Sequence, residues 1–293
     1  MQFGCGYLQT QGVTESLLIT QPVSAPGVLL LGGSEGGLPE RDARALAEEG
    51  YHVLALAYFG RPTLPPGLVD IPLEYFFAAV DKIASFSDGP IAIVGGSRGG
   101  EAALLIGAHD RRVGAVVSVA GSGLVTQGID YRAGALLDIL ATPAAPWTLR
   151  RQPLDYVPYE VGDEMRDLVE RGEPVPLRLA YPEPPAEVER YRIPVERIGG
   201  PVLMLSGGDD TMWPSVVYSQ LAADTADNVE HRIYEGAGHT IAGPPGAEFT
   251  TTVLPGPGVR FEVGGTPEIN TKARAAAWSA TLEFLHENLG VTR

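Results

Sequence analysis

The stretch IAIVGGSRGGEAALLIGAH, residues 91–109, joins a run of branched apolar residues to a segment of helical period through Gly95-Gly96-Ser97-Arg98-Gly99. Ser97 therefore stands at the centre of a G-x-S-x-G turn between a strand and a helix, the context that motif needs. So sharp a turn forces the serine backbone into a strained conformation and tolerates only small residues two positions to either side. The hydroxyl then projects beyond the sheet edge at a helix N-terminus, where the positive dipole end favours developing negative charge. The alternative reading is an ordinary glycine-rich turn. The strand before it and the helix after it favour a nucleophile.

Working outward, further Val/Ile/Leu runs are bounded by Gly or Pro: GVLLL at 27–31, HVLALAY at 52–58, GAVVSVAG at 114–121 and PVLMLSG at 201–207. Continuous rather than alternating apolarity predicts strands covered on both faces, as in a parallel sheet. ESLLIT at 15–20 suits an antiparallel edge strand. Helical period marks 39–50, 71–86, 98–110 and roughly 268–289, the first stopping at Gly50 and the last at Gly290. Strands alternating with helices predict right-handed crossovers and an α/β fold with a mostly parallel, doubly wound sheet. The whole chain, 1–293, reads as one domain, with no repeat and no clean linker.

Residues 122–198 break this rhythm and are rich in Pro, Tyr, Arg and Glu. An insertion of this length between core strands reads as a cap over a pocket, with Trp147, Tyr156, Tyr159 and Tyr181 as apolar walls.

Composition bounds the function. The chain has 44% hydrophobic and 19% charged residues and a formal net charge of −15, which is globular and repels polyanions. Nucleic acid is thus not an expected partner. An anionic substrate is also disfavoured, unless the few basic residues gather at one mouth. The one cysteine, Cys5, allows no internal disulfide and suits a reducing compartment. MQFGCGYLQT at the N-terminus lacks the features of a signal peptide, and no apolar run reaches membrane-spanning length. The expectation is a cytoplasmic protein with no membrane partner; the oligomeric state is left open.

A serine hydroxyl needs a base, and the base an orienting carboxylate. In a strand–turn–helix setting of this kind the chain order is serine, acid, histidine. Of the histidines after the turn, His231 lies in a predicted strand and His286 in the terminal helix. His239 lies in the loop EGAGHTIAGPP, at a strand's carboxyl end, and is the expected base. The acid comes from GGDDTMWPS. Asp210 is preferred over Asp209, because Pro214 opens the following helix and leaves Asp210 on the turn before it. Backbone amides to hold an oxyanion are expected from Arg98 and, in the loop GGSEGG at 32–37, from Ser34, with Glu35 as the neighbouring choice. That loop lacks the lysine of a Walker loop and the dinucleotide-fingerprint spacing, so phosphate binding is the weaker reading.

Together, GGSEGGLPERDARALAEEGYHVLALAYFG, IPLEYFFAAVDKI, VGGSRGGEAALL, IPVERIGGPVLMLSGGDDTMWPS, YEGAGHTIAGPP and the terminal GGTPEINTKARAAAWSATLEFLHENLG resemble a known family. It is the C-terminal catalytic domain of acyl-CoA thioesterases and bile acid-CoA:amino acid N-acyltransferases, which is dienelactone hydrolase-like. The resemblance implies an α/β-hydrolase fold, with the family's nucleophile on Ser97, its acid on Asp210 and its base on His239. It further implies cleavage of an acyl-CoA thioester through an acyl-enzyme, with CoA as part of the substrate and no cofactor or metal. Larger members carry an N-terminal β-sandwich, whereas about 25 residues precede the first core strand here. Amidating members use cysteine as nucleophile, so Ser97 points to hydrolysis. Better-known members have glycine where this chain has Glu35.

Three other activities stay open on the same scaffold: a carboxylester or dienelactone-type hydrolase, an acyl-CoA:amino acid N-acyltransferase, and a non-catalytic binding protein. Arg98, Arg150 and Arg151 are candidates for phosphate contacts with CoA, the alternative being plain surface charge.

Overall fold

The computed structural model describes residues 13, 15–246, 252–253 and 258–290. Cys5 and the N-terminal stretch read for a signal peptide lie outside the described residues.

Seven strands form the main sheet. They are β1 (Ser16–Ile19), β2 (Gly27–Leu31), β3 (His52–Leu56), β5 (Ile91–Gly96), β6 (Val113–Val119), β9 (Val202–Gly207) and β10 (Val229–Tyr234), ordered β1-β3-β2-β5-β6-β9-β10. Only β1 runs antiparallel, at the edge beside β3, as the sequence predicts. Every other neighbouring pair is parallel. β4 (Ile71–Pro72), β7 (Trp147–Leu149) and β8 (Gln152–Pro153) make a small separate sheet, and β11 (Thr252–Val253) pairs with β12 (Phe261–Glu262).

The central strands are apolar throughout because both faces are covered. On one face lie α2 (Leu73–Ala84) and α3 (Arg98–His109), which pack Phe76, Val80 and Leu104 against Leu29, Ile93 and Val116. On the other lie α1 (Glu40–Glu48) and α8 (Pro267–Leu289), which bring Leu46, Ala277 and Leu285 against Val28, Val53 and Val117. Fully burying one such side chain contributes ~1.5–3 kcal/mol. The predicted terminal helix is there and stops at Gly290 as expected. Thr266 caps its start by accepting from the Ile269 N–H at 3.3 Å, and Gly290 ends it in the left-handed region at φ 71°.

Between β6 and β9 the chain leaves the sheet and forms α4 (Leu136–Ala141), α5 (Asp163–Arg171) and α6 (Val188–Tyr191). A third apolar cluster joins this insertion to the sheet's carboxyl end, with Leu140, Tyr159 and Tyr181 packed with Trp213, Tyr218 and Phe261. The aromatic walls expected there divide. Tyr159 and Tyr181 belong to this cluster, their rings 5.0 Å apart. Trp147 does not: it is fully buried in the core over α2, with its ring centroid 5.8 Å from both Tyr58 and Phe76. Tyr156 packs against that same core. The register of β4 beside β7 takes Trp147 inward, since Ile71, its partner, opens directly into α2.

Candidate functional site

Ser97 occupies the turn between β5 and α3 with φ 53° and ψ −121°, a left-handed backbone that a side-chain-bearing residue adopts only when its surroundings force it. The forcing is visible at its neighbours. A Cβ on Gly95 would stand 2.0 Å from the Gly99 carbonyl oxygen, and one on Gly99 would stand 2.5 Å from that of Gly32. Glycine at both places lets the turn close.

Three residues far apart in sequence meet there. The Ser97 hydroxyl lies 2.9 Å from His239 Nε2, and His239 Nδ1 lies 2.8 Å from Asp210 Oδ2. A carboxylate only accepts, so Nδ1 carries the proton and Nε2 is left to accept from the serine. The Asp210 carboxylate is 1% exposed; its Oδ1 accepts from the Met212 and Trp213 N–H groups at 2.9 and 3.3 Å. Asp209 is exposed, one residue earlier on the turn. Pro214 stands immediately before α7 (Ser215–Ala223), as expected.

The His239 loop is held from beneath. Its N–H donates to the Val263 carbonyl at 2.6 Å. Asn270, fully buried in the first turns of α8, accepts from the Gly238 N–H at 2.7 Å and donates to the Gly264 carbonyl at 3.0 Å. The Trp213 ring meets the imidazole edge-on with centroids 5.9 Å apart. Neither Asn270 nor Trp213 was singled out for the site from sequence, because an amide in a helix and an apolar ring on a turn carry no motif.

The other histidines are engaged elsewhere. His231 faces Gln220 Oε1 and Ser206 Oγ, each at 2.9 Å, and His286 stacks on Tyr51.

The glycine loop after β2 approaches the serine closely, for a Cβ on Gly33 would lie 3.1 Å from Ser97 Cβ. Among the described residues, neither the Arg98 nor the Ser34 N–H is given to another acceptor. The Gly33 N–H is taken, at 3.0 Å, by the side chain of Glu35 itself.

Arg98 corrects an expectation. Its guanidinium is not offered to a phosphate. It is 2% exposed and donates to Glu101 Oε2 at 3.1 Å, to the Thr126 carbonyl at 3.0 Å, to Tyr159 Oη at 3.1 Å, and to Thr126 Oγ1 and the Gln127 carbonyl. It also lies 5.3 Å above the Trp213 ring. Glu101, fully buried, accepts in addition from Thr126 Oγ1 and from Trp147 Nε1, each at 2.7 Å. A charge so far from water persists only when partnered this completely. Arg150 and Arg151 form the exposed turn between β7 and β8, both at positive φ, and the Arg150 N–H caps the Glu74 carboxylate at 2.7 Å.

A cavity of about 310 Å³ opens beside Ser97 and His239 and extends between α1 and α8, where Asp42, Arg274 and Trp278 line it. Burial pushes the Asp42 carboxyl up and the Arg274 guanidinium down, so each sits where its charge is poorly solvated. A second cavity of about 40 Å³ lies under the insertion. Among the described residues, no group of three His, Cys, Asp or Glu is placed to hold a metal ion, and no helix is long and apolar enough to cross a membrane.

A parallel sheet, a strained serine turn at its carboxyl edge and a histidine loop after the last parallel strand define an α/β-hydrolase fold. Solved structures agree in fold. The chain superposes on the α/β hydrolase GrgF from Penicillium sp. sh18 with a TM-score of 0.54 at 16% identity, covering 94% of this chain and 99% of that one. On a dienelactone hydrolase-like promiscuous phosphotriesterase from metagenomic libraries, the TM-score is 0.53 at 16% identity, over 92% and 89% of the two chains.

The chain belongs to the BAAT / acyl-CoA thioester hydrolase C-terminal family, whose description matches residues 71–291. It is 30% identical to mouse acyl-coenzyme A thioesterase 1 over 281 residues, or 92% of this chain and 61% of that protein. It is 31% identical to mouse mitochondrial acyl-coenzyme A thioesterase 2, over 92% of this chain and 57% of the relative. The chain thus spans about three fifths of the length of the curated relatives it matches.

Proposed function

We propose that this chain hydrolyses acyl-CoA thioesters to free acid and CoA through an acyl-enzyme on Ser97. The observation that carries the reading is the unbroken line from hydroxyl to imidazole to buried carboxylate, at 2.9 and 2.8 Å. Ser97 Oγ attacks the thioester carbonyl as its proton passes to His239 Nε2. Asp210 holds the imidazole and stabilises the imidazolium that forms. The carbonyl oxygen, now negative, lies toward the Arg98 and Ser34 amides. Collapse breaks the C–S bond, and the departing thiolate takes the proton from His239. Water, activated by the same imidazole, then attacks the serine ester; the acid leaves and Ser97 regains its proton. Beside substrate and water, the steps draw only on side chains and backbone of this chain, and the proposed mechanism invokes no cofactor or metal.

Family membership and the names of the relatives support thioesters as substrate class, and a serine ester, readily attacked by water, supports hydrolysis over amide transfer. A net charge of −15 and a single cysteine suit a reducing aqueous compartment, and we place the activity in the cytoplasm. The test is release of free thiol from acyl-CoA, read with a thiol-reactive chromophore beside an aryl-ester panel and with glycine or taurine added to the reaction. Thiol release by the wild type that is lost in Ser97→Ala supports the proposal. Undiminished release by Ser97→Ala, a rate preference for aryl esters, or an amide product would overturn it.

A further inference from the structure

The loop after β2 sets an acid beside the nucleophile. Glu35 Oε1 accepts from the Gly33 N–H at 3.0 Å, which folds the carboxylate back over its own loop. A Cβ on Gly33 would meet Glu35 Oε2 at 2.7 Å and Ser97 Cβ at 3.1 Å, so carboxylate and nucleophile flank one glycine. Both line the cavity of about 310 Å³. Glu35 also directly follows Ser34, whose amide is proposed for the oxyanion.

Among the described residues, Glu35 has no ion-pair partner. Arg98 is turned into its buried network with Glu101 and Tyr159. Arg274, in the cavity wall, donates to the Gly243 carbonyl at 3.2 Å and stands beside Asp42. The field of Glu35 reaches across the cavity. Burial raises the Asp42 carboxyl, Arg274 and Arg41 oppose the rise, and Glu35 adds to it.

We propose that Glu35 is a specificity-determining residue, which rejects acyl groups carrying a carboxylate close to the thioester and selects neutral ones. This assigns the charge of the acyl group and rests on the thioester reading above. An acyl carbonyl under attack is bonded to Ser97 Oγ. A carboxylate one methylene away from it therefore stays near Ser97, and so near Glu35, whichever way the chain runs. Two like charges this close in a partly exposed site cost about tenfold to a hundredfold in rate. The phosphates of CoA escape the penalty. They lie at the far end of a long amide-bearing arm, beyond the ~8 Å over which exposed charges interact at physiological ionic strength. Glu35 also bears on the oxyanion that every substrate forms, but that part cancels between two acyl groups.

The experiment compares kcat/KM for malonyl-CoA and isovaleryl-CoA, whose acyl groups share a branched outline and differ in charge. The nitrophenyl esters of the same two acids are run in parallel, each corrected for its enzyme-free rate. Wild type, Glu35→Gln and Glu35→Lys are compared. Glutamine keeps the oxygen that accepts the Gly33 N–H and removes only the charge; lysine reverses the charge. The expected result is a wild type that prefers isovaleryl, with the isovaleryl-to-malonyl ratio falling about tenfold or more in Glu35→Gln and further in Glu35→Lys, on both series. A carboxylate that merely braced its loop would cost both acyl groups alike. A ratio unmoved by the two substitutions, or a wild type that prefers malonyl, would therefore overturn the assignment. Activity on nitrophenyl esters alone, with the ratio shift intact, supports the role of Glu35 and overturns the thioester reading. A wild type inert on both series overturns both.

Discussion

Arg98 donates to Glu101 across 3.1 Å with side chains 3% and 0% exposed, directly behind the amide that follows Ser97. The pair fastens the serine turn to the insertion through Thr126, Gln127 and Tyr159. Removing one partner strands the other charge away from water. Glu101→Gln should therefore destabilise the protein by about 3–5 kcal/mol in urea unfolding. Replacing both residues by Met should cost clearly less than the sum of the single changes, because no charge is then left alone.

Asp210 and Asp209 are adjacent, yet only Asp210 faces the imidazole. Asp210→Asn should lower kcat about 10⁴-fold by favouring the wrong imidazole tautomer, while Asp209→Asn stays within about threefold. Equal losses in the two variants would contradict the proposed pairing.

Gly95 and Gly96 flank the same turn but have unlike surroundings. A Cβ on Gly95 would meet backbone at 2.0 Å, whereas on Gly96 the nearest atom is Ala242 Cβ at 3.1 Å. Gly95→Ala should destabilise by more than about 4 kcal/mol and Gly96→Ala by about 1 kcal/mol, read as denaturation midpoints.

His231 gives a pH signature separate from His239. Burial holds its imidazole below the ordinary histidine range, with nearby Asp224 opposing. The unfolded chain then binds a proton that the folded one refuses. Stability should be full above about pH 6.5 and fall as the pH drops below it. His231→Gln should flatten that part of the stability curve.

Much of this arrangement was legible in the residues. Fully buried parallel strands must be apolar on both faces, which is why 27–31 and 91–95 read as core strands without ambiguity. The G-x-S-x-G turn and the loop carrying His239 announce themselves because their glycines are demanded by backbone contact. The insertion was less readable. Its contacts are long-range, and composition does not say which way an aromatic ring points: Trp147 went to the core and Tyr159 to the site side. Arg98 was misread for the same reason. An arginine is ordinarily a surface group, and only the fold reveals that Glu101, three residues on, meets it out of water.

The grip of Asn270 on the Gly238 amide ties the imidazole's seat to the first turns of the final helix. During synthesis, the serine turn and the acidic turn can both take shape while the imidazole loop still lacks its anchor. The alignment is complete only after Asn270 and the helix that carries it have docked. Loss of the Asn270 side chain would keep all three reactive groups and free the backbone that seats the imidazole, so the register of the site depends on a residue that takes no part in its chemistry.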